Sequence, residues 1–113
     1  MGLDVYAARS PDRRLTFWDR RAFKTADVRL AGGMHSGAPG SFRGKLYDDL
    51  VRHVTGVSLY QKWIPPETVR LMAESLVGCD PADAEEYAES DLLQLRAFFD
   101  VCARRKLGLV GWW

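Results

Sequence analysis

The sequence predicts a small α+β domain in which strands from the two chain ends pair in one sheet and three or four helices pack on it. Three observations predict it. The opening residues alternate apolar and polar side chains, with Leu3, Val5 and Ala7 against Asp4 and Tyr6, a period of two that marks a half-buried strand. The closing stretch from Leu109 to Trp113 is apolar on both faces, so it needs cover or a neighbouring strand. Between them, several segments repeat apolar residues at helical spacing. The 113 residues, 47% of them hydrophobic, are enough for one modest core, and we read 1–113 as a single domain without repeats, low-complexity tracts or linkers.

Taken in order, Ser10-Pro11-Asp12 is a turn signal after the first strand. Leu15-Thr16-Phe17-Trp18 reads as a short second strand, and the pattern from Asp19 to Leu30 is mixed. Gly32 to Gly44 reads as a glycine-rich loop that holds five of the chain's ten glycines together with Pro39. Leu46, Tyr47, Leu50, Val51 and Val54 form one helical stripe, Asp48 and Asp49 suit its N-terminal end, and Gly56 stops it. Val57 to Tyr60 reads as extended. Pro65-Pro66-Glu67 opens the next helix, whose buried stripe is Val69, Met72 and Leu76 and whose end is Gly78. Asp80 caps a short helix that starts at Pro81. The last helix is capped by Ser90, buries Leu92, Leu95, Phe98, Phe99 and Cys102, and is stopped by Gly108.

Composition excludes several classes. Sixteen Lys and Arg face fifteen Asp and Glu, so neither a histone-like polycation nor an acidic disordered tail fits. No run approaches the about 18 apolar residues of a membrane span, and the first residues lack the apolar core of a signal peptide. Tyr6 occupies the place where a myristoylation motif needs Ser or Thr. Two cysteines, Cys79 and Cys102, are too few for a disulfide framework, which points to a reducing, cytoplasmic setting with both thiols free. Residues 1–53 hold ten Lys or Arg and six Asp, and residues 54–113 hold six against nine acidic residues. The halves complement one another and do not demand an external anion.

The start, Met1-Gly2-Leu3-Asp4-Val5-Tyr6, and the closing stretch, Leu92 to Trp113 with its terminal Leu109-Val110-Gly111-Trp112-Trp113, resemble those of small bacterial and phage proteins without an assigned activity. The resemblance implies a bacterial or phage origin and brings no catalytic residue with it.

Five constellations bear on chemistry. Gly40-Ser41-Phe42-Arg43-Gly44-Lys45 has three residues between its glycines where a Walker A loop has four, and Leu46 follows the lysine in place of Ser or Thr, so hydrolysis of that type is not expected. A weaker anion site remains: Arg43 and Lys45 with His35, Ser36 and Ser41, in a loop pinned by Phe42 and Met34, whose backbone amides face the ligand. The bland alternative is a sharply turning surface connection. Arg9, Arg13, Arg14, Arg20, Arg21, Lys24 and Arg29 interleave with Phe17, Trp18 and Phe23. That combination suits single-stranded nucleic acid, but Asp12, Asp19 and Asp27 dilute it and the pI of about 7.8 disfavours it. The bland reading there is aromatic core residues alternating with solvated charge. His35, His53, Cys79 and Cys102 lack the spacing of a metal site; Cys102 reads as a buried thiol and His53 as a partly buried side chain. Cys79 before Asp80-Pro81, with His35 or His53 as base, is the one candidate nucleophile. Finally, Trp63, Trp112 and Trp113 mark an interface if the sheet face that carries them has no helix on it. If both terminal tryptophans are buried in the monomer, they are core.

The preferred function is a small cytoplasmic binding module rather than an enzyme, with a protein or an anionic small molecule as partner. The first alternative holds phosphate or a nucleotide in the loop 32–45, across a homodimer; the second is a small Cys-dependent hydrolase. No catalytic residue, metal ligand or cofactor is assigned, and neither nucleic acid nor membrane is expected as a partner.

Overall fold

The two ends of the chain lie side by side. In the computed structural model, which describes residues 2–32 and 39–113, strand β1 (Asp4–Ala8) runs antiparallel to strand β4 (Gly108–Trp112) over five residue pairs, from Asp4 with Trp112 to Ala8 with Gly108. Strand β2 (Ser41–Arg43) pairs with the other edge of β1, and strand β3 (Trp63–Ile64) with the other edge of β4. The sheet is fully antiparallel in the order β2-β1-β4-β3.

Alternation assigns its faces. Val5, Ala7, Phe42, Ile64 and Leu109 point to one side and are buried. Four helices bring their apolar stripes to that side: α1 (Phe17–Thr25), α2 (Asp48–Thr55), α3 (Pro66–Gly78) and α4 (Glu89–Arg105). Phe98 of α4 is the hub. Its ring centroid lies 4.8 Å from Phe23 of α1 and 4.8 Å from Phe42 of β2, and 6.0 Å from Phe99. Each such buried ring contributes roughly 1.5–3 kcal/mol by leaving water. No helix among the described residues is long and apolar enough to cross a membrane.

The expected elements at the chain ends, α2, α3 and the short capped turn after Asp80 are present. Gly56 ends α2 with a φ of 75°, and Pro81–Ala84 is a 3-10 turn whose Asp80 carboxylate accepts from the Ala82 amide. Several details differ from expectation. Leu15–Trp18 is not a strand: Thr16 caps α1, its hydroxyl accepting from the Asp19 amide while the Asp19 carboxylate accepts from the Thr16 amide. This reciprocal cap turns a β-prone run into a helix start. The glycine-rich stretch is not one loop. Ser41–Arg43 is an edge strand because Phe42 is drawn into the core beside Phe98. Leu46 leaves the α2 stripe and is exposed in a 3-10 turn, Gly44–Leu46. The extended segment lies at Trp63–Ile64 rather than at Val57–Tyr60. Helix α4 starts at Glu89 with Ala88 as its cap, so Ser90 is already inside it. Lys106, with φ 57°, ends α4, and Gly108 is the first residue of β4 instead of a helix stop.

Asp19 locks this frame. Its side chain is fully buried where β1 ends, α1 begins and α4 stops. Arg9 donates Nε to Oδ2 at 2.9 Å and Nη2 to Oδ1 at 2.7 Å, and Arg105 donates Nε to Oδ1 at 2.7 Å. Burial alone pushes the carboxyl pKa up. The hydrogen bonds from Arg9, the Thr16 amide and Arg105 outweigh it and hold the group well below the usual carboxylate range.

Candidate functional site: the open face of the sheet

The face of the sheet opposite the helices bears two cross-strand rows. Trp63, Val110, Tyr6 and Ser41 make one, running from β3 across β4 and β1 to β2. Trp112, Asp4 and Arg43 make the other. Each of the four helices contributes to the core on the far side. Tyr6, Val110 and Trp63 are half-buried by one another and by the pleat, while Arg43 is exposed and Trp112 is 59% exposed.

Local rules place these side chains. Trp63 sits flat on the sheet because Gly108 beneath it has no side chain: a Cβ there would lie 2.4 Å from the indole and 2.5 Å from the Ile64 carbonyl. The two terminal tryptophans diverge, as strand alternation requires. Trp112 reaches the open face. Trp113 turns to the other side, against Tyr60 (centroids 5.7 Å apart) and under the Lys62 ammonium, whose Nζ is 4.3 Å from the ring centroid. Neither completes the core; Trp113 remains 42% exposed.

The residues singled out in the sequence as a ligand set and as an interface set therefore meet. Ser41 and Arg43 share the open face with Trp63 and Trp112. Lys45 is exposed in the 3-10 turn just beyond Arg43, whereas Trp113 lies off this face, against Tyr60. His35, Ser36 and Met34 lie outside the described residues. Two of the loop's amides are committed inside the fold: the Arg43 amide donates to the Ala31 carbonyl at 2.8 Å, and the Gly44 amide to the Leu3 carbonyl at 2.8 Å. The phosphate cradle would need those donors turned outward. Arg43 and Lys45 offer side-chain charge in place of a backbone nest.

The cysteines lie elsewhere. Burial in α4 pushes the Cys102 thiol pKa up, which keeps it protonated and unreactive. Cys79 and His53 line one hollow of about 390 Å³ on the far side of the helical layer. The Cys79 thiol donates to the Asp80 carbonyl at 3.5 Å, whereas the exposed His53 ring bonds the Asp83 carbonyl at 2.8 Å. No hydrogen bond links thiol and imidazole among the described residues, so the pair is not arranged as nucleophile and base. Within those residues, no three His, Cys, Asp or Glu side chains cluster as metal ligands.

Sequence reasoning missed two features. One is Tyr6, whose place in the aromatic row follows from the period of β1. The other is the flank of the open face, where Arg14, just after the turn, and Arg20 of α1 come beside Tyr6 and Ser41 around a hollow of about 150 Å³. A search among protein-family models, curated proteins and solved structures finds no match to this chain.

Proposed function

We propose that the protein is a recognition module whose open sheet face receives another protein. One observation carries this: a sheet with the four helices of the described residues on one side has Trp63, Tyr6 and a largely exposed Trp112 on the other. Aromatic side chains supply large contact area at little cost in conformational freedom, and tryptophan and arginine dominate the energetics of protein interfaces. Arg43 and Asp4 side by side on the second row give the surface both signs of charge, which suits a polar rim rather than a polyanion.

The test places a photo-crosslinking amino acid at Trp112, and in a control at exposed Leu71 of α3, in cells that produce the protein. The captured partner is then purified and titrated against the wild-type chain. The expected result is a discrete adduct at Trp112 only, with binding weakened about thirtyfold or more by Trp112→Ala, the loss typical of an interface hot spot. Equal capture at both positions, or affinity untouched by Trp112→Ala and Arg43→Glu, would overturn it. So would an adduct with twice the chain's mass, because that is self-association.

A further inference from the structure

We infer that the outer face of α1, which adjoins the sheet face at Arg20, is a docking surface for single-stranded nucleic acid. The helix has two opposed stripes. Asp19, Ala22, Phe23 and Ala26, its C-cap, follow one another at i, i+3, i+4 and i+7 and face inward. Phe17, Arg20, Arg21 and Lys24 follow the same spacing and are all exposed. With Thr25 and Pro39 they line a cleft of about 500 Å³. Phe17 and Trp18, each 64% exposed, meet edge to face with centroids 5.2 Å apart at the head of the stripe.

Charge counting along the sequence sets Asp12, Asp19 and Asp27 against these cations. The fold removes two of the three. Asp19 is buried on the inward stripe and held by Arg9 and Arg105, and Asp27 pairs with Arg29 at 3.0 Å. Arg20, Arg21 and Lys24, and the exposed Arg13 and Arg14 of the preceding turn, have no carboxylate within ion-pair distance among the described residues. Unpaired cations beside solvent-facing rings are what a flexible strand of phosphates and unstacked bases requires, since every base offers a face to stack. A duplex keeps its base faces covered. A bilayer needs an apolar stripe along a helix, and the apolar stripe of α1 is spent on the core.

Fluorescence anisotropy of a labelled oligo-dT of about 20 nucleotides, titrated with the full chain, tests this. If Arg20, Arg21 and Lys24 neutralise three phosphates, log affinity falls against log salt with a slope of about −2, or about twentyfold between roughly 50 and 200 mM. Arg21→Ala/Lys24→Ala should flatten the slope to about −0.7. Trp18→Ala should weaken binding at least about fivefold and leave the slope unchanged, because stacking releases no counterion. Trp112→Ala, on the sheet face, should change neither. All variants replace exposed side chains, and unchanged melting temperatures verify that they fold. The proposal is overturned by absence of binding at low salt, or by equal affinity for a duplex of the same length. Preference for vesicles containing phosphatidylserine or for poly-glutamate overturns it too, as does binding that is indifferent to the α1 variants.

Discussion

Replacing Asp19 by Asn removes one charge and one acceptor from the centre of the frame while keeping the shape. The carboxylate accepts four hydrogen bonds, two from Arg9 and one each from Arg105 and the Thr16 amide. An amide keeps one oxygen and turns an NH₂ toward two of those donors. Two bonds to an ionised group, each worth roughly 1.5–3 kcal/mol, are therefore lost. The side chains of Arg9 and Arg105 are 35% and 32% exposed, so water recovers part of the loss. The net is about 3 kcal/mol, at the low end of what breaking a buried ion pair costs. For a chain of this length that lowers the melting temperature by roughly 10 °C. Urea denaturation at neutral pH, followed by tryptophan fluorescence, measures it. A double-mutant cycle with Arg105→Ala isolates the long-range part and should return a coupling of at least about 1 kcal/mol. A loss below about 1 kcal/mol with no coupling would refute the claim that this carboxylate ties β1, α1 and α4 together.

Because the folded-state pKa of Asp19 is depressed, its contribution is complete above the unfolded carboxylate value near 4 and is lost as pH falls through the lower folded value. The gap in urea midpoint between wild type and Asp19→Asn should therefore narrow steadily below about pH 4. Gly108→Ala forces a methyl into the Trp63 indole and the Ile64 carbonyl, and equilibrium unfolding should show a loss of about 1–3 kcal/mol. Phe98→Ala empties the hub between Phe23 and Phe42 and should cost about 3–5 kcal/mol in the same assay. Trp112→Ala, on the open face, should stay within about 0.5 kcal/mol of wild type.

The pairing of the chain ends was legible because the first alternates with a strand period, the last is apolar on both faces, and each supplies what the other lacks. Leu3, Val5 and Ala7 need a covered face, and Leu109 to Trp113 needs a neighbour. Helix α1 was misread for a definable reason. Leu15-Thr16-Phe17-Trp18 is rich in β-branched and aromatic residues, yet Thr16 and Asp19 have the spacing of a capping box, and that local signal wins. The partner that fixes Asp19 was out of reach, since Arg105 lies 86 residues away. The same holds for Arg96 of α4, which donates to the Leu76 and Cys79 carbonyls and so closes the end of α3. At the open face, the divergence of Trp112 and Trp113 could be read from alternation alone. The meeting of Ser41 and Arg43 with Trp63 and Trp112 could not. It depends on a three-residue strand inside a glycine-rich stretch and on the register of three strand pairs.

The two surfaces share a boundary and a support. Arg20 belongs to the exposed stripe of α1, and it also flanks Tyr6 and Ser41 at the edge of the sheet face. Its position on both follows from where α1 begins, and Thr16 and Asp19 set that beginning. One buried carboxylate thus does two jobs. It neutralises Arg9 and Arg105 inside the molecule, and by staying inside it leaves the outward cations of α1 without a screening partner. Asp19→Asn should therefore disturb both surfaces together, whereas Trp112→Ala and Arg21→Ala/Lys24→Ala each touch one. If the Asn variant kept full affinity at both surfaces while losing stability, the orientation of α1 would have to be set by the Phe23–Phe98 contact alone.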